Sequence, residues 1–373
     1  MDNNKPYIFI YQALTALKYT KKYVEKQCII GYINSKMKMK RILSLPLEAY
    51  KMVAKLNDVA ELAGVSVTTV SRVINNYGSL SKKTIDKVHA AMRELRYQPN
   101  AMARSLQGKS SQFIGLIFPN IQNPFFTALT NEIEQLLFEK GYKVIIATSA
   151  NNIEKEQQYL QMLAANQVEG IITSSHNLDI ATYKDTFLPI VSYDRYLSDN
   201  IPIVSEDNYR GGYLLGEYLV SKGAKKLLML SDDDHSNSPT TKRYQGFSDA
   251  VSEHSHLTTQ NRSSNIISTK DDIEMIVNYV VAEDIDGIFA YNDIMAIQLQ
   301  NALRDANIRV PEDVIVVGYD GSPIVQLLHP DLPTIIQPIQ QAAQRLIDTL
   351  FHEIDNQVST EFSMLPVTLY VPK

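Results

Sequence analysis

Thr68, Thr69, Arg72 and Asn75 fall on one side of a short helical repeat, VTTVSRVIN, whose other side carries Val70, Val73 and Ile74. An outward row of hydroxyl, amide and guanidinium groups holds the donors and acceptors that read base edges in the major groove of DNA. Ser66, just before the repeat, is placed to cap it. Other chemistries fail one by one. Gly108, Lys109 and Ser110 would close a phosphate-binding loop only with a glycine five residues before Gly108, where Ala103 stands. The G-x-S-x-G, H-E-x-x-H and G-x-G-x-x-G patterns are absent. Cys28 is the only cysteine, which rules out an intrachain disulfide and thiol catalysis by the rest of the chain. Asp232, Asp233, Asp234 and His235, with His254 and His256, lack ligand spacing and read as an exposed polar loop. The residues therefore point to binding without a metal, cofactor or reaction.

The elements that must hold that outward row are legible around it. Leu56, Val59, Ala60 and Ala63 recur at helical spacing, and Gly64 permits the tight turn that follows. The second helix starts near Val67. A third, capped by Ser81, carries Ile85, Val88, Met92 and Leu95, and Pro99 is expected to end it at Gln98. Two helices joined by a Gly-containing turn, the second short and polar outside, suggest a helix-turn-helix. The alternative is a small three-helix bundle with no nucleic-acid partner.

Charge supports the DNA reading. The chain of 373 residues has a formal net charge of −5, but residues 52–110 hold nine Lys/Arg against four Asp/Glu, and residues 1–51 hold ten against three. Residues 111–373 are acidic, so phosphate contact is expected to stay with the basic N-terminal module. Residues 1–51 are Lys-rich without periodicity. They read as a disordered extension or a mis-assigned start, with translation beginning at Met52; a basic arm adding DNA affinity is the alternative. No apolar run approaches the ~20 residues of a membrane span, and the first twenty residues lack a signal-peptide layout, so a cytoplasmic protein without a membrane partner is expected.

From Gln112 strands alternate with helices. FIGLIF, YKVIIATS, GIITSS, LPIVSYD, KKLLMLS, IIST, GIFAY and VIVVGYD read as strands. Helices are expected over 127–140, 154–166, 214–222, 243–253, 272–282 and 293–306. Such alternation implies parallel α/β sheets, here two doubly wound subdomains dividing near Asp207. Ligands in such sheets bind beyond the C-terminal strand ends, so two facing subdomains make a cleft.

DVAELAGVSVTTVSRVINN followed by RYQPNAMARSL resembles the DNA-binding headpiece and hinge helix of the LacI family of bacterial transcription regulators. The likeness continues through NPFF, DNYRGG, RYQGF, AYNDIMA, VIVVGYD and LPTIIQP, in family order. LPIVSYDRYLSDNIPIVSEDNYRGG and SNSPTTKRYQGF are most similar to the family's sucrose-operon repressors of Gram-positive bacteria. The resemblance implies an all-α helix-turn-helix headpiece, residues 52–99, and a hinge helix and linker, residues 100–111. It also implies an α/β two-subdomain core, residues 112–373, like that of periplasmic binding proteins. Subdomain N would take 112–207 and 338–366, and subdomain C 208–335, with crossings near 205–208, 318–323 and 335–339.

By the same resemblance, Ser66, Val67, Thr68, Thr69, Arg72 and Asn75 contact DNA, joined by Asn100, Ala103 and Leu106 of the hinge helix. Leu106 takes the position of the residue that wedges into a minor-groove step. The family places Asp194, Arg243, Asn292 and Asp320 at strand ends facing an effector; Phe125 and Phe126 are candidates for an apolar face, with core packing the alternative, and Asn120 and His176 are further candidates. Carboxylates and a guanidinium suit sugar hydroxyls through paired hydrogen bonds, and a Phe face suits a sugar ring. Trp is absent from the chain, so the tryptophan platform of some sugar-binding relatives is missing. The implied function is a homodimeric repressor of a sugar operon, released from operator DNA by a sugar or sugar phosphate. The alternatives are a catabolite-type global regulator activated by a phosphorylated carrier protein, and a sugar-binding transport protein.

Overall fold

The computed structural model describes residues 54–75, 77–98, 110–177, 183, 188–232, 238–252, 254, 256–262, 269–355 and 363–372. The chain divides into two compact units, one up to residue 99 and one from residue 100.

The first unit holds α1 (Leu56–Ala63), α2 (Val67–Ile74) and α3 (Lys82–Glu94). Val59, Ala60 and Ala63 of α1 pack with Val70 and Val73 of α2 and with Val88 and Ala91 of α3. Gly64 ends α1 at φ +65°, a left-handed conformation that glycine adopts without a Cβ penalty, and its N–H donates to Ala60 O and Glu61 O. Helix α3 stops a turn before the end expected from Pro99. Arg96 turns left-handed at φ 49°, and the N–H groups of Arg96 and Tyr97 close back onto Arg93 O and Met92 O. This is a Schellman closure, so the helix is already finished when proline arrives.

The second unit begins with β1 (Phe113–Phe118), α4 (Pro124–Glu139), β2 (Lys143–Thr148), α5 (Ile153–Ala165), β3 (Gly170–Thr173), β4 (Ile190–Tyr193) and β5 (Ile203–Glu206). It continues with α6 (Asn208–Ser221), β6 (Lys226–Asp232), α7 (Thr241–Val251), β7 (His256–Arg262), α8 (Lys270–Ala282), β8 (Gly287–Phe289) and α9 (Asp293–Asp305). The last elements are β9 (Ile315–Asp320), α10 (Pro323–Leu328), β10 (Thr334–Ile336), α11 (Ile339–Ile354), β11 (Ser363–Leu365) and β12 (Thr368–Tyr370).

Two six-stranded sheets result, ordered β11-β5-β4-β3-β1-β2 and β12-β10-β9-β8-β6-β7. All neighbours are parallel except β10 and β12. Ile114, Leu116, Ile172 and Val191 of the first sheet are sealed by Leu129 and Ile133 of α4 and by Leu346 and Leu350 of α11. In the second sheet Leu228, Ile288 and Val316 pack under α8 and α9. Strands buried on both faces explain the continuous apolar runs in the sequence.

Several boundaries differ from the pattern reading. Helix α4 starts at Pro124 rather than Thr127: Asn123 Oδ1 accepts from Phe125 N at 2.8 Å, and proline suits the first turn. Helix α6 starts at Asn208 rather than Leu214, capped by Asp207. In that helix Gly212 sits where another backbone comes close: a Cβ there would lie 1.8 Å from Arg243 O. A Cβ on Gly246 would likewise lie 2.0 Å from Tyr209 O. The strand after α7 is His256–Arg262; Ile266, Ile267 and Ser268 of IIST lie outside the described residues, and Thr269 caps α8.

The chain passes between sheets after β5, after β10 and between β11 and β12. The crossing expected over 318–323 is therefore not a change of sheet, because β9 and β10 are neighbours in the second sheet. The third passage is at residues 366–367 instead.

Candidate functional site

In the first unit the exposed side of α2 is narrower than the sequence suggested. Val67, Thr68 and Arg72 are exposed. Ser66 caps the helix by accepting from Thr69 N at 3.1 Å, and its Oγ lies 2.8 Å from Thr69 Oγ1. Thr69 is consequently half-buried and partnered within the helix. Asn75 also departs from expectation: it is the C-cap, half-buried, and its Nδ2 donates to Ser71 O at 2.6 Å. The Asn75 Nδ2 is thus directed to its own helix end. Asn100, Ala103 and Leu106 lie outside the described residues.

In the second unit the structure brings Asn120, Phe125, Phe126, His176, Asp194, Arg243, Asn292 and Asp320 to one cleft of about 690 Å³, counting its open mouth. The topology explains the gathering. In each sheet the chain runs in opposite directions from the central strands, so the loops after β1 and β3, and after β6 and β8, part and leave a crevice. Asn120 follows β1, His176 follows β3, Asp194 follows β4, Asn292 follows β8, and Asp320 ends β9. Arg243 enters from α7, which the glycines of α6 allow to lie close.

Arg243 is buried, and its neighbours are fixed. Nη2 donates to Glu206 Oε1 at 3.1 Å and to Asn208 Oδ1 at 2.9 Å, and Nε donates to Asn208 at 3.1 Å. The guanidinium lies 3.4 Å from the ring centroid of Tyr319. Asp194 takes a left-handed φ of 60°, with Oδ1 accepting from Ser205 Oγ at 2.6 Å and Asn208 Nδ2 at 2.7 Å. Its Oδ2 is 3.8 Å from Arg243 Nη2. Two carboxyl groups around one fork-shaped cation give it the hydrogen bonds and counter-charge that burial demands.

Asp320, at φ 125°, links the two sheets: Oδ2 accepts from Asn123 Nδ2 at 3.1 Å and Oδ1 from Gln337 Nε2 at 2.8 Å. Burial pushes its carboxyl up to about 6, against the opposing pull of Arg243 and these two amides. Asn292 spends Oδ1 on the N-terminus of α9, accepting from Met295 N at 2.9 Å. Asn120 Oδ1 accepts from Gln122 N at 2.9 Å and Asn123 N at 3.0 Å, which fixes the turn before α4. Phe125 is buried and stacks on Tyr193 at 5.7 Å. Phe126 is half-buried, stacks on Phe118 at 5.3 Å and lines the cleft. His176 Nε2 is 2.8 Å from Arg195 Nη2; burial and that guanidinium hold its imidazole well below the usual range, and so neutral.

Residues 55–100 match the lacI family of bacterial regulatory proteins, and residues 217–371 match the periplasmic binding protein-like domain. A sucrose operon repressor of Streptococcus mutans is 48% identical over 320 residues, covering 85% of this chain and 98% of that protein. The chain belongs to the LacI family. A sucrose operon repressor of Pediococcus pentosaceus is 46% identical over 326 residues, covering 85% of this chain and 98% of its own length. Among solved structures, a lac repressor dimer bound to operator and the anti-inducer ONPF superposes with a TM-score of 0.71 at 28% identity, covering 86% of this chain and 98% of that one.

The LacI-family cleft of this chain also holds residues that pattern reading did not single out. Tyr193, Arg195 and Gln337 line it, and Glu206 lies fully buried behind Arg243. Arg195 directly follows Asp194, so its place was readable from its neighbour. Gln337 meets Tyr193 across 144 positions of sequence, at 2.7 Å, and no local signal announces such a pair.

Proposed function

We propose that this chain represses a sugar-utilisation operon, that of sucrose, and that a sugar or sugar phosphate filling the cleft releases it from operator DNA. The observation that carries the reading is the cleft itself. Carboxylate, guanidinium and amide groups converge there beside the half-buried face of Phe126, a combination suited to a polyhydroxy ring. Identities of 41–48% to sucrose operon repressors from three bacteria support it. In this reading Val67, Thr68 and Arg72 read bases from the exposed side of α2, and Asn100, Ala103 and Leu106 act from the hinge. The repressor works as a homodimer on a pseudo-palindromic operator, because a symmetric pair presents two recognition helices. Its work is binding, and no reaction is assigned to it. Among the described residues no helix is long and apolar enough to cross a membrane.

Operator release, followed by fluorescence anisotropy, tests the proposal against sucrose, phosphorylated sucrose, fructose and a purine. Release by a sugar is expected. Release by the purine alone sinks the sugar reading.

A further inference from the structure

Asn123 has its amide oriented by the backbone, since Oδ1 accepts from Phe125 N at 2.8 Å. Its Nδ2 therefore faces Asp320 Oδ2, and Asp320 acts as an acceptor. Asp320 Oδ1 then orients Gln337, which donates Nε2–H at 2.8 Å and turns Oε1 towards Tyr193. The Tyr193 hydroxyl oxygen lies 2.7 Å from Gln337 Oε1 and 2.8 Å from Glu206 Oε2. A phenol has one proton. If it goes to Gln337, which cannot donate in this orientation, the contact with Glu206 needs a proton from the other side.

We infer that Glu206 is a neutral carboxylic acid that donates Oε2–H to Tyr193, and that it is the positioning residue that sets the cleft for its effector. Glu206 ends β5 at the first crossing. Tyr193 and Asp194 face it from β4 and beyond, Arg243 from α7, and Tyr319 from β9 with the guanidinium lying over its ring. Oε1 accepts from Arg243. One carboxylate, Asp194, then faces the guanidinium beside Glu206, and Glu206 adds no charge of its own. Burial, then the Asp194 charge beside it, pushes the Glu206 carboxyl well above the usual range, which is the direction this arrangement needs.

The consequence is proton-linked effector binding. With Glu206 neutral, the wire from Glu206 through Tyr193 and Gln337 to Asp320 is complete and joins both subdomains. Loss of the proton leaves Glu206 Oε2 and Gln337 Oε1 competing for one phenol proton, and places two carboxylates side by side in a dry site. Above the Asp320 transition at about 6, effector affinity is therefore full below the raised Glu206 value and lost as pH rises through it.

Two measurements decide it. Infrared spectroscopy of the full chain without ligand reads the carbonyl stretch of protonated carboxyl groups. Comparing the wild type with Glu206→Gln near neutral pH, one such band should be missing from the variant; identical spectra overturn the inference. The second measurement rests on the cleft being the effector site. Sucrose titrated calorimetrically over about pH 6 to 9 should bind the wild type with an affinity that falls by up to about tenfold per pH unit above the transition. Glu206→Gln, which supplies its own N–H to Tyr193, should bind with a flat profile and restore what Glu206→Ala loses. A flat wild-type profile overturns the linkage. Absence of binding by any sugar overturns the reading of the cleft instead, and the infrared result still decides the protonation.

Discussion

Replacing Arg243 by alanine should unfold the core more easily than almost any other single change in the cleft. Arg243 is 7% exposed and makes three hydrogen bonds of 2.9–3.1 Å to Glu206 and Asn208 besides its contact with Tyr319. Alanine removes the cation and leaves the Asp194 carboxylate buried without one, and Asn208 Oδ1 without its donors. Removing one partner of a buried pair costs about 3–5 kcal/mol, much of it the charge left behind. For a unit of this size 1 kcal/mol moves the midpoint by roughly 2–4 °C, so a drop of about 6–20 °C is expected. Urea and thermal unfolding of the full chain, followed by tyrosine fluorescence and calorimetry, measure it. Arg243→Lys keeps the charge but has no planar fork to serve Glu206 and Asn208 together, and should recover less than half of the loss. A loss under about 1 kcal/mol for Arg243→Ala refutes the reasoning, since it would mean that Asp194 carries no uncompensated charge once the arginine is gone.

Three further changes test other links. Arg72→Ala should weaken operator binding by about 1–3 kcal/mol and relax base discrimination in anisotropy titrations; unchanged affinity and discrimination remove α2 from the DNA surface. Gly212→Ala should cost more than the ~1–3 kcal/mol of ordinary overpacking, because the new Cβ meets the Arg243 backbone rather than a yielding side chain. Thermal unfolding reads that cost, and a neutral result would show that α6 and α7 part freely. Asp320, with its carboxyl at about 6 in the folded chain against an ordinary 3.8, binds its proton more tightly when folded. Its contribution to stability is full below about pH 4 and lost as pH rises through about 6, a swing of about 3 kcal/mol. Urea titrations of wild type minus Asp320→Asn should show that decline, and a difference that rises over the window would reverse the sign.

The first unit was legible because its packing is local. Val59, Val70, Val73 and Val88 repeat at helical spacing within forty residues, and Gly64 and Ser66 mark the turn between two helices. What the pattern could not show was which polar groups on α2 were already occupied: Thr69 and Asn75 look free in sequence and are tied to Ser66 and Ser71 in space. In the second unit the apolar strands announced themselves, but α11 was not read although it covers the first sheet. The helix over DNYRGG was not read, and the proximity of Arg243 O to Gly212 shows why glycine stands there. Of the eight cleft residues, Asp194, Arg243, Asn292 and Asp320 came from a family likeness, and Phe125 and Phe126 from their chemistry. Nothing in local spacing brings Asn123 to Asp320 across 197 positions, or Tyr193 to Gln337; sheet topology does that.

That topology also decides where a change of angle between the subdomains must be felt. Two of the three passages between the sheets carry members of the polar network: Glu206 and Asn208 flank the first, and Gln337 follows β10 at the second. The third, between β11 and β12, carries no member of that network. Rotation about these passages leaves contacts within one subdomain intact, such as Asp194 with Ser205. It changes the distances that span two, above all Asn123 to Asp320 at 3.1 Å and Glu206 to Arg243 at 3.1 Å. Hydrogen bonds weaken steeply with distance and angle, so the spanning contacts do not stretch gradually: they are made or replaced by water. A ligand shifts such a two-state element only by binding one arrangement better than the other. Asp320 and Arg243 line the cleft and also hold these spanning bonds, so whatever fills the cleft acts directly on the contacts that set the angle.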